Sequence, residues 1–250
     1  YNCSADGCRK PNFDLIAAHQ PAVEFIAMRA GQSWGYRDPA FPYYLAEAQR
    51  IGACILPYHV VFPGESARRQ MDSLLCILAG VDLDSVRLVL DMELDHSQTR
   101  SKITQTLSEC LRILQAETSR LPLVYSRASW VNEHLSVRDL PALDWWLAQY
   151  LARRSYPAYT PEFPCPPRLP EGVSAWRIHQ TAERAPAIGG SGWYMDYDRW
   201  NGSRAELLAY FGREEKQPAL ACPLDGSPCP RSDIQPNPAL VEQPLGMEVI

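Results

Sequence analysis

Apolar positions recur along residues 22–211 in two alternating rhythms. Short continuous apolar runs predict buried strands. Stretches where apolar residues return every three or four positions predict amphipathic helices. Val23–Arg29, Ala53–Val61, Val86–Glu93 and Leu121–Tyr125 are of the first kind. Pro42–Ile51, Ser66–Leu78, Lys102–Glu117 and Ala128–Leu135 are of the second. In Lys102–Glu117, for example, Ile103, Leu107, Leu111 and Leu114 share one face. Trp145–Leu151, Ala175–Gln180 and Trp193–Asp196 are three further strand candidates. Pro-rich or Gly-rich segments separate them, with no good helix between.

Alternation of this kind implies parallel strands with helices outside. Adjacent strand ends that carry aromatic and charged side chains suggest a barrel with its site at the C-terminal rim. The helices fade after about residue 140, so the expected fold is α/β, an irregular TIM-like (β/α)5(β)3 barrel over residues 1–212. From Arg213 the periodicity disappears, and seven prolines fall between Pro218 and Pro244. Residues 213–250 therefore read as a Pro-rich linker or tail. A tail docked back on the domain is the alternative.

Composition narrows the function classes. Hydrophobic residues make up 46% and charged residues 21%, as in ordinary globular chains. A net charge of −5 argues against nucleic acid as the main partner, since phosphate binding needs clustered Lys and Arg. No run of about 20 apolar residues predicts a membrane span. No charged-then-apolar leader is visible. The chain opens on Tyr1 and reads as a processed product, so a signal ahead of it is compatible with export. Of eight cysteines, Cys54, Cys76 and Cys110 sit in apolar stretches and read as buried hydrophobes. Cys3 with Cys8 and Cys222 with Cys229 are candidates for local disulfides in an oxidising compartment. No spacing suggests a metal site, and no cofactor is expected.

The chemistry concentrates where the strand Leu88–Leu90 runs into Asp91, Glu93 and Asp95. An apolar strand has no packing reason to end in carboxylates. Positions i and i+2 share a face, with Cα atoms about 7 Å apart, so Asp91 and Glu93 address one region. Glycoside hydrolysis needs such a pair, one protonated and one charged, and mutual repulsion helps to separate their pKa values. A salt-bridged, solvated strand end is the competing structural explanation. A second acidic cluster, Asp196 and Asp198, lies among Trp193, Tyr194, Tyr197 and Trp200. Aromatic faces suit sugar rings, although they also fill ordinary cores. Arg29, Tyr58, His59, Tyr125, Gln149, Tyr150 and Gln180 are further polar or aromatic residues near strand ends. Together they describe a concave, aromatic, acidic site.

These motifs, in this order, resemble glycoside hydrolase family 25, the lysozymes of the Chalaropsis type. Phe25–Gln32 is similar to that family's F-x-x-I-R-A-T-x-G strand, and Asp38–Phe41 to its D-x-x-F turn. Pro57-Tyr58-His59 resembles A-Y-H, and Leu90–Glu93 matches the catalytic signature L-D-x-E. Leu123–Ser126 with Trp130, Trp146–Tyr150, Trp176–Gln180 and Met195–Gly202 resemble four more family motifs. The resemblance spans residues 1–211. It implies cleavage of the β-1,4 bond between N-acetylmuramic acid and N-acetylglucosamine in bacterial peptidoglycan. It implies Glu93 as general acid/base, Asp91 assisting a retaining mechanism with the substrate's acetamido group as nucleophile, and Asp196 across the site. It further implies a secreted or phage-delivered protein that acts as a monomer on the cell wall, with neither nucleic acid nor membrane insertion.

Two positions depart from the pattern. The family opens with G-x-D-V-S, and here Asn2 stands at the matching position, which keeps hydrogen bonding but loses a negative charge. Asp198 stands where the family often has Asn. The expected reading is an active muramidase. A catalytically weakened peptidoglycan-binding homologue and a hydrolase for another N-acetylated glycan such as chitin are the alternatives.

Overall fold

A computed structural model describes residues 10–151, 165–189 and 194–214. It is an α/β fold built on one eight-stranded sheet. The strands are β1 (Phe25–Gln32), β2 (Tyr36–Arg37), β3 (Cys54–Val60), β4 (Val89–Asp91), β5 (Leu123–Ser126), β6 (Trp145–Ala148), β7 (Ile178–Pro186) and β8 (Tyr194–Trp200). The helices are α1 (Phe13–Ala17), α2 (Phe41–Ile51), α3 (Ala67–Ile77), α4 (Arg100–Thr118), α5 (Ala128–His134) and α6 (Arg204–Tyr210). Strand order is β2-β1-β3-β4-β5-β6-β7-β8. From β1 through β3 to β7 every neighbouring pair is parallel. The β1–β2 hairpin and the β7–β8 pair are antiparallel.

Alternation along the strands sorts the core into two layers. Phe25, Cys54, Leu56, Val89, Leu123, Tyr125, Trp146, Ala148, Ile178 and Trp200 face one shared interior. Ile26, Met28, Ile55, Leu88, Leu90, Val124 and Leu147 face the opposite way, against helices. Every strand except β2 contributes to the interior, so the sheet curls like a barrel. No ladder joins β8 to β1 among the described residues. There, α6 bridges the gap: Leu207, Leu208 and Phe211 enter the interior cluster from below, and Arg204 binds Glu24 at 2.7 Å.

Local chemistry explains the helix limits. Ser66 and Thr99 accept from backbone N–H groups at the starts of α3 and α4, as N-caps do. Ser203 and Glu206 form a reciprocal capping box on α6. Gly52 ends α2 in the left-handed region, with φ of 77°. Gly31 is required by close approach, because a Cβ there would lie 2.6 Å from the Tyr36 carbonyl oxygen across the hairpin.

Several boundaries differ from expectation. β4 is only three residues long, because its ladder ends as the carboxylates begin. β7 runs on to Pro186 through two register shifts, where only Ala175–Gln180 was expected. Helix α1 and strand β2 were not expected at all, being five and two residues long. Residues 165–177 hold no helix, in keeping with the expected loss of helices late in the chain. Cys54 and Cys110 are free and buried, whereas Cys76 is free and exposed, contrary to its apolar setting in sequence. Cys3, Cys8, Cys222 and Cys229, and all but the first two residues of the expected 213–250 tail, lie outside the described residues.

Candidate active site

The C-terminal ends of the parallel strands converge on a group of carboxyls and phenols. Asp91 pairs in register with Val60 on β3 and Tyr125 on β5. Tyr125 in turn pairs with Trp146 on β6. Two hydrogen bonds cross the interior and tie non-adjacent strands. Tyr125 Oη donates to Gln180 Oε1 at 2.7 Å, and Trp146 Nε1 donates to Asp198 Oδ1 at 2.5 Å. On the other flank, Arg29 Nε donates to Asp38 Oδ2 at 2.8 Å, and Asp38 also accepts from the Ala40 backbone. Asp38 thereby holds the guanidinium beside Tyr58 and within electrostatic reach of Asp91.

Electrostatics are dominated by burial and like charge. Burial, and then repulsion from Glu93, push the Asp91 carboxyl well above the usual carboxylate range, against the pull of Arg29. Glu93 is raised by burial and by Glu183, and is held back by Arg127, whose Nε lies 3.5 Å from Oε1. Asp196 is pushed up to about 7 by burial, with Glu183 and Glu93 adding repulsion. Asp198 is raised well above its ordinary value by burial and then by Asp196. Asp91 Oδ1 is buried and has no hydrogen-bond partner among the described residues. An orphaned buried carboxyl oxygen is costly, and at a strand end it is the mark of a site shaped for a ligand donor. Among the described residues, no group of His, Cys, Asp and Glu is arranged to hold a metal ion.

A strand-end carboxyl pair inside a curled sheet with helices outside suits glycosidase chemistry, and the sequence comparison gives the family. The sequence model of the Glycosyl hydrolases family 25 matches residues 10–189. This chain belongs to that family. Its curated relatives include the Escherichia coli K12 protein printed as Uncharacterized protein YegX, 26% identical over 192 residues, which are 75% of this chain. The chain spans 63% of that relative's length. Solved structures share this fold. A bacterial lysozyme from Streptomyces coelicolor is 22% identical, with a TM-score of 0.67, over 81% of this chain and 91% of its own. A family GH25 lysozyme from Aspergillus fumigatus is 21% identical, with a TM-score of 0.64, over 82% and 94%. These likenesses place the chain among family 25 barrels by fold as well as by sequence.

Within this family 25 fold, Arg29, Tyr58, Asp91, Glu93, Tyr125, Tyr150, Gln180, Asp196 and Asp198 gather at one end of the interior. Gln180 and Asp198 are almost fully buried and support the aromatic residues from beneath, so neither is an exposed sugar contact. Two expected residues fall elsewhere. His59 follows Tyr58 and therefore faces outward, fully buried toward Gly31 and the α3 layer. Burial lowers its pKa to about 4, which keeps it neutral. Gln149 also has outward parity, and its amide oxygen accepts from the Arg168 backbone at 2.7 Å. Asn2 lies outside the described residues. Two participants were missed. Arg127 directly follows β5, and Glu183 sits past the first register shift of β7, which realigns it with the carboxyl group. A basic residue at a strand end signals the first. Nothing in the local pattern signals the bulge behind the second.

Proposed function

We propose that the chain is a peptidoglycan N-acetylmuramidase. The observation that carries this reading is the buried Asp91 with an unpartnered oxygen beside a half-buried Glu93, at the strand ends of a family 25 fold. The solved relatives described as lysozymes and a muramidase support it.

In this mechanism Glu93 starts protonated, as its raised pKa favours, and gives its proton to the glycosidic oxygen as the C1–O bond breaks. The carbonyl oxygen of the substrate's own acetamido group attacks C1 and forms an oxazolinium ring. Asp91 accepts the acetamido N–H on its open oxygen, and Arg29 favours the carboxylate form in which it stabilises the positive charge that develops. Glu93, now a carboxylate, takes a proton from water as that water attacks C1, and the ring reopens with configuration retained. Asp196, Tyr125 and Tyr150 line the cleft around the sugar. Arg29, fixed by Asp38, tempers the charge on Asp91. The barrel over residues 1–212 is the catalytic unit of this proposal, and the Pro-rich residues 213–250 are its linker. Its substrate puts the protein at the bacterial cell wall, by secretion or phage delivery. Among the described residues, no helix is long and apolar enough to cross a membrane.

The test is incubation of the purified chain with peptidoglycan sacculi and mass spectrometry of the soluble products. Fragments that end in reducing N-acetylmuramic acid support the proposal. Fragments that end in reducing N-acetylglucosamine contradict the bond assignment. Bound sacculi without fragments contradict hydrolysis and favour a glycan-binding homologue.

A further inference from the structure

Beyond the carboxyl group, one exposed tryptophan is held in a way that random surface residues are not. Trp34 is 48% exposed and sits in the turn between β1 and β2, at the same end of the sheet as the carboxyls. Its ring is pinned on one face by Arg69 of α3, whose guanidinium carbon lies 3.9 Å from the ring centroid. The turn itself is fixed. Ser33 has a left-handed φ of 52°, its N–H donates to Val60 O at 3.0 Å, and its hydroxyl donates to Glu65. Next along the rim, Phe62 stacks with His96 at 4.5 Å between centroids, which joins the loops after β3 and β4. An aromatic edge therefore runs along the loops of three neighbouring strands.

Register gives its distance from the chemistry. Gln32 pairs with Val60, and Val60 pairs with Asp91. The turn thus begins two strand spacings from Asp91, about 10 Å across the sheet. That is farther than the sugar at Asp91 reaches and near enough for a later sugar of the same strand. One face of Trp34 is taken by Arg69, and its exposure leaves the ring open to the apolar face of a pyranose.

We propose that Trp34, braced by Arg69, is a stacking platform for the glycan strand outside the scissile position. This assignment rests on the glycan-hydrolase reading above. The platform contributes to holding long strands and leaves bond cleavage to Asp91 and Glu93.

The experiment compares wild type, Trp34→Ala, Trp34→Phe and Arg69→Gln on soluble, uncrosslinked peptidoglycan strands of graded length, with thermal melting to confirm folding. Trp34→Ala is expected to raise KM about two- to tenfold on long strands. Its kcat stays unchanged, and the difference fades on the shortest strands. Trp34→Phe restores most of the loss, and Arg69→Gln gives a smaller rise in KM. Equal KM for Trp34→Ala and wild type at every length overturns the platform. If wild type cleaves none of the strands, the hydrolase reading fails and titration calorimetry with the same strands decides the platform separately. Weaker binding by Trp34→Ala then supports it, and equal or absent binding overturns it.

Discussion

The two ends of the curled sheet follow opposite rules. At the end where the parallel strands start, Phe25, Cys54, Trp200, Leu207, Leu208 and Phe211 close the interior with apolar surface. Charges there are matched. Arg177 meets Asp144 at 2.7 Å, Tyr210 Oη donates to the same carboxylate at 3.0 Å, and Arg213 donates to the Gly52 and Ala53 carbonyl oxygens. At the other end Asp91, Glu93, Glu183 and Asp196 crowd together, and burial with like-charge repulsion makes Asp91, Glu93 and Asp196 harder to ionise. The first end stores stability and the second holds strain. A site of like charges persists only where the rest of the fold over-determines it, and α6 supplies much of that constraint.

Substitutions at the two ends should therefore separate activity from stability. Asp91→Asn is expected to lower turnover on peptidoglycan by at least about 100-fold while the melting temperature holds or rises. Near-normal turnover would show that the pair is structural. Phe211→Ala should do the reverse, costing about 3–5 kcal/mol in urea denaturation for the cavity it leaves, with turnover kept well below the melting range. A stability loss under about 1 kcal/mol would show that α6 is not a plug.

Asp196→Asn tests the strain directly. The folded-state pKa of Asp196 is raised to about 7, so its ionisation costs stability as pH climbs from the ordinary aspartate value to about 7. The Asn variant should match wild type at about pH 3, gain on it through that window, and keep a constant advantage above it. Denaturation at several pH values reads this, and an advantage independent of pH would contradict it. The smallest effects concern the pH–rate profile. The falling alkaline limb reports loss of the Glu93 proton. Glu183→Gln removes a negative neighbour and should move that limb down in pH. Arg127→Gln removes a positive one and should move it up. Shifts of the same sign in both variants would break the assignment of that limb to Glu93.

Much of this architecture was legible in the pattern of apolar residues. Leu88–Leu90 reads as a buried strand because it is buried on both faces, and the i, i+2 spacing of Asp91 and Glu93 puts both on the interior side. The same parity argument, had it been carried to β3 and β6, would have turned His59 and Gln149 outward. Tyr58 and Tyr150 lie next to them in sequence and face inward instead. Glu183 was not legible, because a bulge resets the alternation and leaves no compositional trace. Helix α1 and strand β2 are too short for any period to show, and tertiary contacts maintain them. One such contact is the pair of α2 rings around Phe13 of α1, which meets Tyr43 at 6.0 Å and Tyr44 at 6.2 Å.

The most direct test of the account is one preparation of Glu93→Gln against wild type on the same sacculi, with bound protein and released reducing ends measured together. The account predicts that binding is kept and release falls below about a tenth of wild type, since a positioned general acid contributes at least a hundredfold. Release above that level would remove Glu93 from its role, and loss of binding with release would mean that it holds the glycan rather than protonates it.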